Sequence, residues 1–100
     1  MNPKVSIIIV TYNGYQYTAR CIRAIRAGQY DNYEIILVDN GSTDGTCARI
    51  SEEFGDSITI IGLPMNIGPA AARNKGLEVA TGEFVAIIDN DTEPDPGWLT

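Results

Sequence analysis

The sequence predicts an α/β domain, a parallel sheet with helices packed on both faces. Two observations predict it. Short apolar, β-branched runs alternate with segments whose apolar residues recur at helical spacing, in the order β-α-β-α-β-α-β. The connections are short, so right-handed helical crossovers bring successive strands into one parallel sheet. At 100 residues the chain holds one domain at most, with one modest core.

Val5–Val10 is a near-continuous β-branched run, as expected of a strand buried on both faces. The turn Thr11-Tyr12-Asn13-Gly14 ends it. Over Tyr15–Ala27, Tyr17, Cys21 and Ile25 recur at four-residue spacing while Arg20, Arg23 and Arg26 are left for solvent. That pattern predicts an amphipathic helix, which Gly28 would end in the C′ role. Glu34–Val38 is the second strand, followed by a loop of turn and capping residues from Asp39 to Gly45. Cys47, Ile50 and Phe54 mark the inner face of a helix over Thr46–Phe54. Ile58–Ile61 is the third strand. Pro69 suits the first turn of a third helix, which runs to about Ala80 with Gly82 as terminator. Phe84–Ile88 is the fourth strand, and Asp89 opens a loop rich in Asp and Pro.

Composition narrows the function. The net charge is −6, and all seven Lys/Arg lie in residues 1–80 against eight Asp/Glu. Residues 81–100 carry Glu83, Asp89, Asp91, Glu93 and Asp95 with no base. No basic stripe is present to neutralise phosphates, which argues against nucleic acid as a partner. An uncompensated acidic cluster invites a divalent cation, although a solvated acidic loop has the same composition. With two cysteines and no histidine, neither a structural zinc nor a His-based catalytic arrangement is expected. Cys21 and Cys47 are expected as reduced core residues. The apolar run Ile7–Val10 is far too short to span a bilayer, and no signal-peptide pattern precedes it. A cytoplasmic location is expected, at the inner face of a membrane if a longer protein is anchored there.

In open parallel sheets ligands bind beyond the carboxyl ends of the strands. The polar clusters fall there: Thr11-Tyr12-Asn13, Asp39-Asn40, Asn66 and Asp89-Asn90-Asp91. The first strand–helix turn, T-Y-N-G-Y, lacks the G-x-G-x-x-G that cradles a dinucleotide pyrophosphate, and no G-x-x-x-x-G-K-[ST] loop is present. NAD is therefore not expected, though Asp39 could still read a ribose hydroxyl. A carboxylate-held Mn²⁺ or Mg²⁺ is the natural substitute for such a loop, and Asp89 and Asp91, two apart after a buried strand, suit it. Arg73 either points to the same edge and pairs with phosphate or base carbonyls, or is an ordinary solvated helix arginine.

Four stretches carry a family resemblance over essentially the whole chain: V-S-I-I-I-V-T-Y-N at 5–13, E-I-I-L-V-D-N-G-S-T-D-G-T at 34–46, N-I-G-P-A-A-A-R-N-K-G at 66–76 and G-E-F-V-A-I-I-D-N-D at 82–91. The sequence resembles the amino-terminal, nucleotide-binding half of family 2 glycosyltransferases, inverting enzymes of the GT-A fold with a Rossmann-like three-layer parallel sheet. The resemblance implies a UDP-, dTDP- or GDP-linked sugar donor and transfer to a hydroxyl of a saccharide or lipid-linked acceptor. It places Thr11 and Asn13 at the nucleoside, Tyr12 near the base, and Asp39 on the base imide. Asn66 and Arg73 would border base and diphosphate. Asp89 would face the ribose or a metal-bound water, Asn90 would lie with the donor-binding residues, and Asp91 would be the direct metal ligand. Two departures stand out. Asn40 and Thr92 occupy positions where many members carry Asp, and the D-N-G-S and D-N-D forms resemble members that use deoxysugar donors, such as rhamnosyltransferases.

The resemblance places the general base and much of the acceptor pocket after Thr100, so residues 1–100 are expected to form a partial domain with little transferase activity alone. Glu93 and Asp95 read as solvated loop carboxylates. An uncovered strand edge would favour self-association, with Trp98 as a candidate contact. The alternative functions are a sugar-1-phosphate nucleotidyltransferase, which needs a Gly-rich basic loop that T-Y-N-G-Y does not supply, and a non-catalytic nucleotide-binding or interaction module of the same fold.

Overall fold

The computed structural model describes residues 3–90. Along the chain run β1 (Val5–Thr11), α1 (Tyr15–Arg26), β2 (Tyr33–Asp39), α2 (Thr46–Phe54), β3 (Thr59–Gly62), α3 (Pro69–Val79) and β4 (Phe84–Asp89). The element order is the one the sequence predicts. Strands β1, β2 and β4 each run one residue further than their apolar patterns, taking in Thr11, Asp39 and Asp89. The ladder explains the extension, because Thr11 pairs with Asp39 and Val10 with Asp89.

All strands are parallel, in the order β3-β2-β1-β4. The chain builds outward from β1 to β3, then crosses back to lay β4 on the other side of β1. Strand alternation sends Val5, Ile7, Ile9, Ile35 and Leu37 to one face, where Ala19, Cys21, Ile22 and Ile25 of α1 and Ile50 and Phe54 of α2 cover them. Ile8, Ile36 and Val38 point to the other face, under Ala72 of α3. Each buried aliphatic side chain contributes roughly 1.5–3 kcal/mol, so β1 and β2 dominate the core. Strand β4 forms one edge of the described sheet, with Phe84, Val85 and Ile87 exposed.

Four local expectations are corrected. Tyr17 is not on the inner face of α1; it is 56% exposed, and the buried positions are Thr18, Ala19, Cys21, Ile22 and Ile25. Gly28 does not adopt the left-handed C′ conformation. Helix α1 ends instead on Ala27 in a right-handed conformation, with the Ala27 N–H donated to the Arg23 carbonyl. Cys47 is half-buried where the core was expected, since its thiol packs toward Gly62, which has no side chain to cover it. Cys21 is buried as expected. Helix α3 stops at Val79 because Ala80 turns to an extended backbone, two residues before Gly82.

Candidate functional site

Strand register brings the carboxyl ends level. Thr11 sits beside Asp39, Asp39 beside Gly62, and Asp89 beside Val10. The loops leaving these ends are stitched together by backbone bonds. The Asn40 N–H donates to the Thr11 carbonyl at 2.8 Å, and the Leu63 N–H to the Asp39 carbonyl at 2.9 Å.

Two asparagines do the remaining stitching. Asn13, in a left-handed conformation (φ 50), accepts on Oδ1 from the N–H groups of Thr43 and Asp44, at 2.8 and 3.3 Å. Its own N–H donates to the Ser42 Oγ at 2.8 Å. Asn40, 3% exposed, donates from Nδ2 to the Asn66 Oδ1 at 3.2 Å and accepts from the Ile67 N–H at 3.0 Å. Asn66 Oδ1 also accepts from the Gly68 N–H at 2.8 Å, just before α3.

Asp39 is 2% exposed. Its Oδ1 accepts from the Ser42 N–H at 2.7 Å, whereas its Oδ2 is buried with no partner among the described residues. Burial pushes the nearby Cys47 thiol up in pKa, and the Asp39 charge adds to the effect, so the thiol stays protonated. A buried polar atom without a partner is costly. Among the described residues the only other buried side-chain nitrogen or oxygen without a partner is the Arg73 Nε.

Between these loops lies a cavity of about 340 Å³, lined on its polar side by Thr11, Tyr12, Asn40, Asn66, Arg73 and Asp89, with Asn90 at its border. Val10, Pro69, Ile87 and Ile88 supply the apolar wall. The Asp89 carboxylate makes no hydrogen bond or ion pair among the described residues, and half-exposed Tyr12 presents its ring at the mouth.

The cavity gathers six of the residues singled out in the sequence: Thr11, Tyr12, Asn66, Arg73, Asp89 and Asn90. Arg73 is thus a residue of this rim and not a fully solvated helix arginine. Asn13 is turned toward the Ser42–Asp44 loop and borders a separate, smaller depression of about 240 Å³ with Asp44 and Arg49. Asp39 lies beneath the rim, outside the cavity lining. Asp91, Thr92, Glu93, Asp95 and Trp98 fall outside the described residues. The sequence reading put Asn40 in the rim cluster and noted it as a departure from the family pattern without naming a contact for it, and gave Thr18 no role. Asn40 carried a signal, since it adjoins Asp39 at a strand end. Thr18 carried none, because its partners come from β1 and from the residue after β4.

A doubly covered parallel sheet with a polar cavity at its carboxyl rim places the molecule among α/β nucleotide-binding folds, and its solved neighbours are GT-A transferases. The chain belongs to glycosyl transferase family 2, whose profile matches residues 6–100. It is 41% identical to EpsH of Bacillus subtilis over 97 residues, covering 93% of this chain and 28% of that protein. It is 37% identical to the glycosyltransferase AglE of Haloferax volcanii over 102 residues, covering 97% of this chain and 33% of the relative. S. aureus TarS 1–349 in complex with UDP superposes with a TM-score of 0.87 at 31% identity, covering 96% of this chain and 30% of that one. The mannosyltransferase PcManGT of Pyrobaculum calidifontis, in complex with GDP-Man and Mn²⁺, superposes at 0.81 with 34% identity, over 91% and 28% of the two chains. The chain therefore spans about a third or less of the length of these relatives.

Proposed function

We propose that the described residues form the donor side of an inverting, metal-dependent glycosyltransferase. The enzyme transfers a sugar from a nucleotide-diphosphate donor to a hydroxyl of a saccharide or lipid-linked acceptor. The observation that carries this reading is the rim cavity, which Arg73 lines together with Asp89, whose carboxylate has no partner among the described residues. A donor diphosphate suits that pair: Arg73 meets phosphate oxygens directly, and a carboxylate meets them only through a cation. The family's solved neighbours support it, since TarS was solved with UDP and with UDP-GlcNAc, and PcManGT with GDP-Man and Mn²⁺.

The residues present fit a divalent ion. Asp89 offers a hard oxygen donor at the rim and Asp91 follows two residues on, the donor type that Mn²⁺ and Mg²⁺ take alongside water and phosphate. When bound, the ion supplies Lewis-acid stabilisation of the diphosphate leaving group. Around it, Arg73 holds the diphosphate, Tyr12 and Thr11 border the nucleoside, and Asn40 and Asn66 fix the loop over the cavity. The resemblance puts the base imide N–H on Asp39, whose Oδ2 has no partner among the described residues but lies buried beneath the cavity lining, so that contact requires the rim to open. No helix among the described residues is long and apolar enough to cross a membrane. The exposed Phe84, Val85 and Ile87 of edge strand β4 are the surface through which the chain would self-associate, an expectation that sedimentation of the chain reads directly.

A thermal melt tests the donor site, with Mn²⁺ and UDP, dTDP or GDP added singly and together, and Asp91→Ala as control. Stabilisation by metal and one nucleotide jointly, absent in the variant, supports the reading and names the base. A cooperative melt that no combination moves leaves a non-catalytic module of the same fold as the better account.

A further inference from the structure

We propose that Thr18 is a positioning residue for the D-N-D motif, acting through the side chain of Asn90. The inference rests on the donor-site reading above and adds a residue to it. Asn90 directly follows Asp89, the last residue of β4 and a cavity-lining carboxylate, so its anchorage fixes the chain where it leaves the strand.

Asn90 lines the cavity, and its amide nitrogen has partners within the fold. Its Nδ2 donates back into the fold, toward the Thr18 Oγ1 at 3.3 Å and the Thr11 Oγ1 at 3.4 Å. The Thr18 hydroxyl gives its proton to the Thr11 Oγ1 at 2.8 Å, leaving its lone pairs to receive the amide. Both threonines are almost completely buried, at 0% and 1% exposure. Three elements meet in this one bond network: the last residue of β1, the first turn of α1 and the residue after β4.

Gly14 keeps the approach open. A Cβ there would stand 2.6 Å from the Asn90 Nδ2 and 3.3 Å from the Thr11 Oγ1, so any side chain would push the amide out. Helix α1 places Thr18 in this role because the Thr18 N–H closes the first helical turn on the Gly14 carbonyl at 2.9 Å. The glycine that admits Asn90 and the threonine that receives it are thus held in one turn. A valine at position 18 would fill the same space and satisfy the helix equally well. Among the described residues the hydroxyl serves only Thr11 and Asn90.

The test compares purified wild-type protein with Thr18→Val, Thr18→Ser and Asn90→Ala. Binding of Mn²⁺ in the presence of UDP or GDP is read from the free-ion paramagnetic resonance signal. Binding of the corresponding nucleoside without metal is read by calorimetry. Thr18→Val, which loses the bonds to both Thr11 and Asn90, is expected to bind the metal–nucleotide about three- to tenfold more weakly and to weaken the nucleoside by less, through Thr11 alone. Thr18→Ser is expected to restore binding. Asn90→Ala, which reaches the same contact from the exposed end, is expected to match Thr18→Val, with the double variant no worse than either. Metal–nucleotide binding unchanged in Thr18→Val and Asn90→Ala overturns the proposal. So does equal loss of nucleoside and metal–nucleotide in Thr18→Val, which marks a general packing role. Wild-type protein that binds neither nucleotide with Mn²⁺ overturns the donor-site reading and, with it, this one.

Discussion

Gly41 lies against Met65 so closely that a Cβ on Gly41 would stand 2.4 Å from the Met65 carbonyl carbon and 2.6 Å from the Asn66 nitrogen. Its φ of 80 is also one that L side chains rarely adopt. Two loops, one after β2 and one after β3, therefore touch backbone to backbone beside the cavity. Gly41→Ala is expected to cost about 1–3 kcal/mol from the backbone conformation alone, with the overlap adding to it. For a domain of this size that lowers Tm by roughly 4–8 °C per kcal/mol. Calorimetric melting checks it, and an unchanged Tm would show that the two loops can part freely.

Asn40 is a buried amide at the rim whose partners decide whether an acid could take its place. Its Nδ2 faces the Asn66 Oδ1, which is already an acceptor for the Gly68 N–H. In Asn40→Asp the carboxylate would meet that oxygen with no proton between them. Asn66 could turn its own amide to answer only by abandoning Gly68. The buried carboxylate would then titrate above its unfolded value of about 3.9. A carboxyl with a raised folded pKa carries no penalty below the unfolded value and accrues one as pH rises past it. Asn40→Asp is therefore expected to lose about 1–3 kcal/mol at neutral pH and to approach wild-type stability near pH 4. Denaturant melts at the two pH values decide it.

Much of this fold is legible along the chain, and the reason is local. Strands β1 and β2 are buried on both faces, so their sequences are near-continuous apolar runs. Helix α2 runs from Thr46 to Phe54 as its pattern predicts. Tyr17 misled because a four-residue stripe through Cys21 and Ile25 can be extended through it, whereas the inner face continues instead through Thr18. A polar residue takes that place because Thr11 and Asn90 supply its partners, from positions 7 and 72 residues away. The Asn40–Asn66 pair, 26 residues apart, was hidden for the same reason. Residue type and strand-end position pointed to the rim, but which amides would spend themselves on loop geometry depended on contacts that no local pattern encodes.

At the opposite end of the sheet, Glu34 ties three segments together and makes stability depend on pH. Its Oε2 accepts from the Ser6 hydroxyl at 2.5 Å and from the Thr81 N–H and Oγ1 at 2.7 and 3.0 Å, and the Lys4 Nζ stands 3.7 Å from its Oε1. Burial raises its carboxyl pKa, but the hydrogen bonds from Ser6 and Thr81 and the Lys4 charge outweigh it and hold the group below the usual range. Such a carboxylate stabilises fully above its unfolded value, about 4.3, and loses that contribution as pH falls through the folded value. Glu34→Gln is expected to be less stable by about 1–3 kcal/mol at pH 7. The gap should close progressively below about pH 4. A constant gap from pH 7 to pH 3 would mean that shape, and not charge, holds this junction.

Arg73 decides whether the cavity is a diphosphate site. Arg73 lines the cavity together with the Asp89 carboxylate, and its Nε–H lies buried without a partner among the described residues. The guanidinium gains a charge-assisted bond when a phosphate oxygen arrives in that cavity. Losing such a bond costs about 1.5–3 kcal/mol. Arg73→Ala is therefore expected to weaken the nucleotide diphosphate roughly 10- to 150-fold while leaving the nucleoside nearly untouched. Arg73→Lys should recover only part of the loss, because a point charge replaces the guanidinium and its Nε donor disappears. Titration calorimetry with UDP or GDP beside the matching nucleoside separates the possibilities. If nucleoside and diphosphate weaken equally, Arg73 reads the base, and the phosphate contact must be sought at Asp89 through its cation.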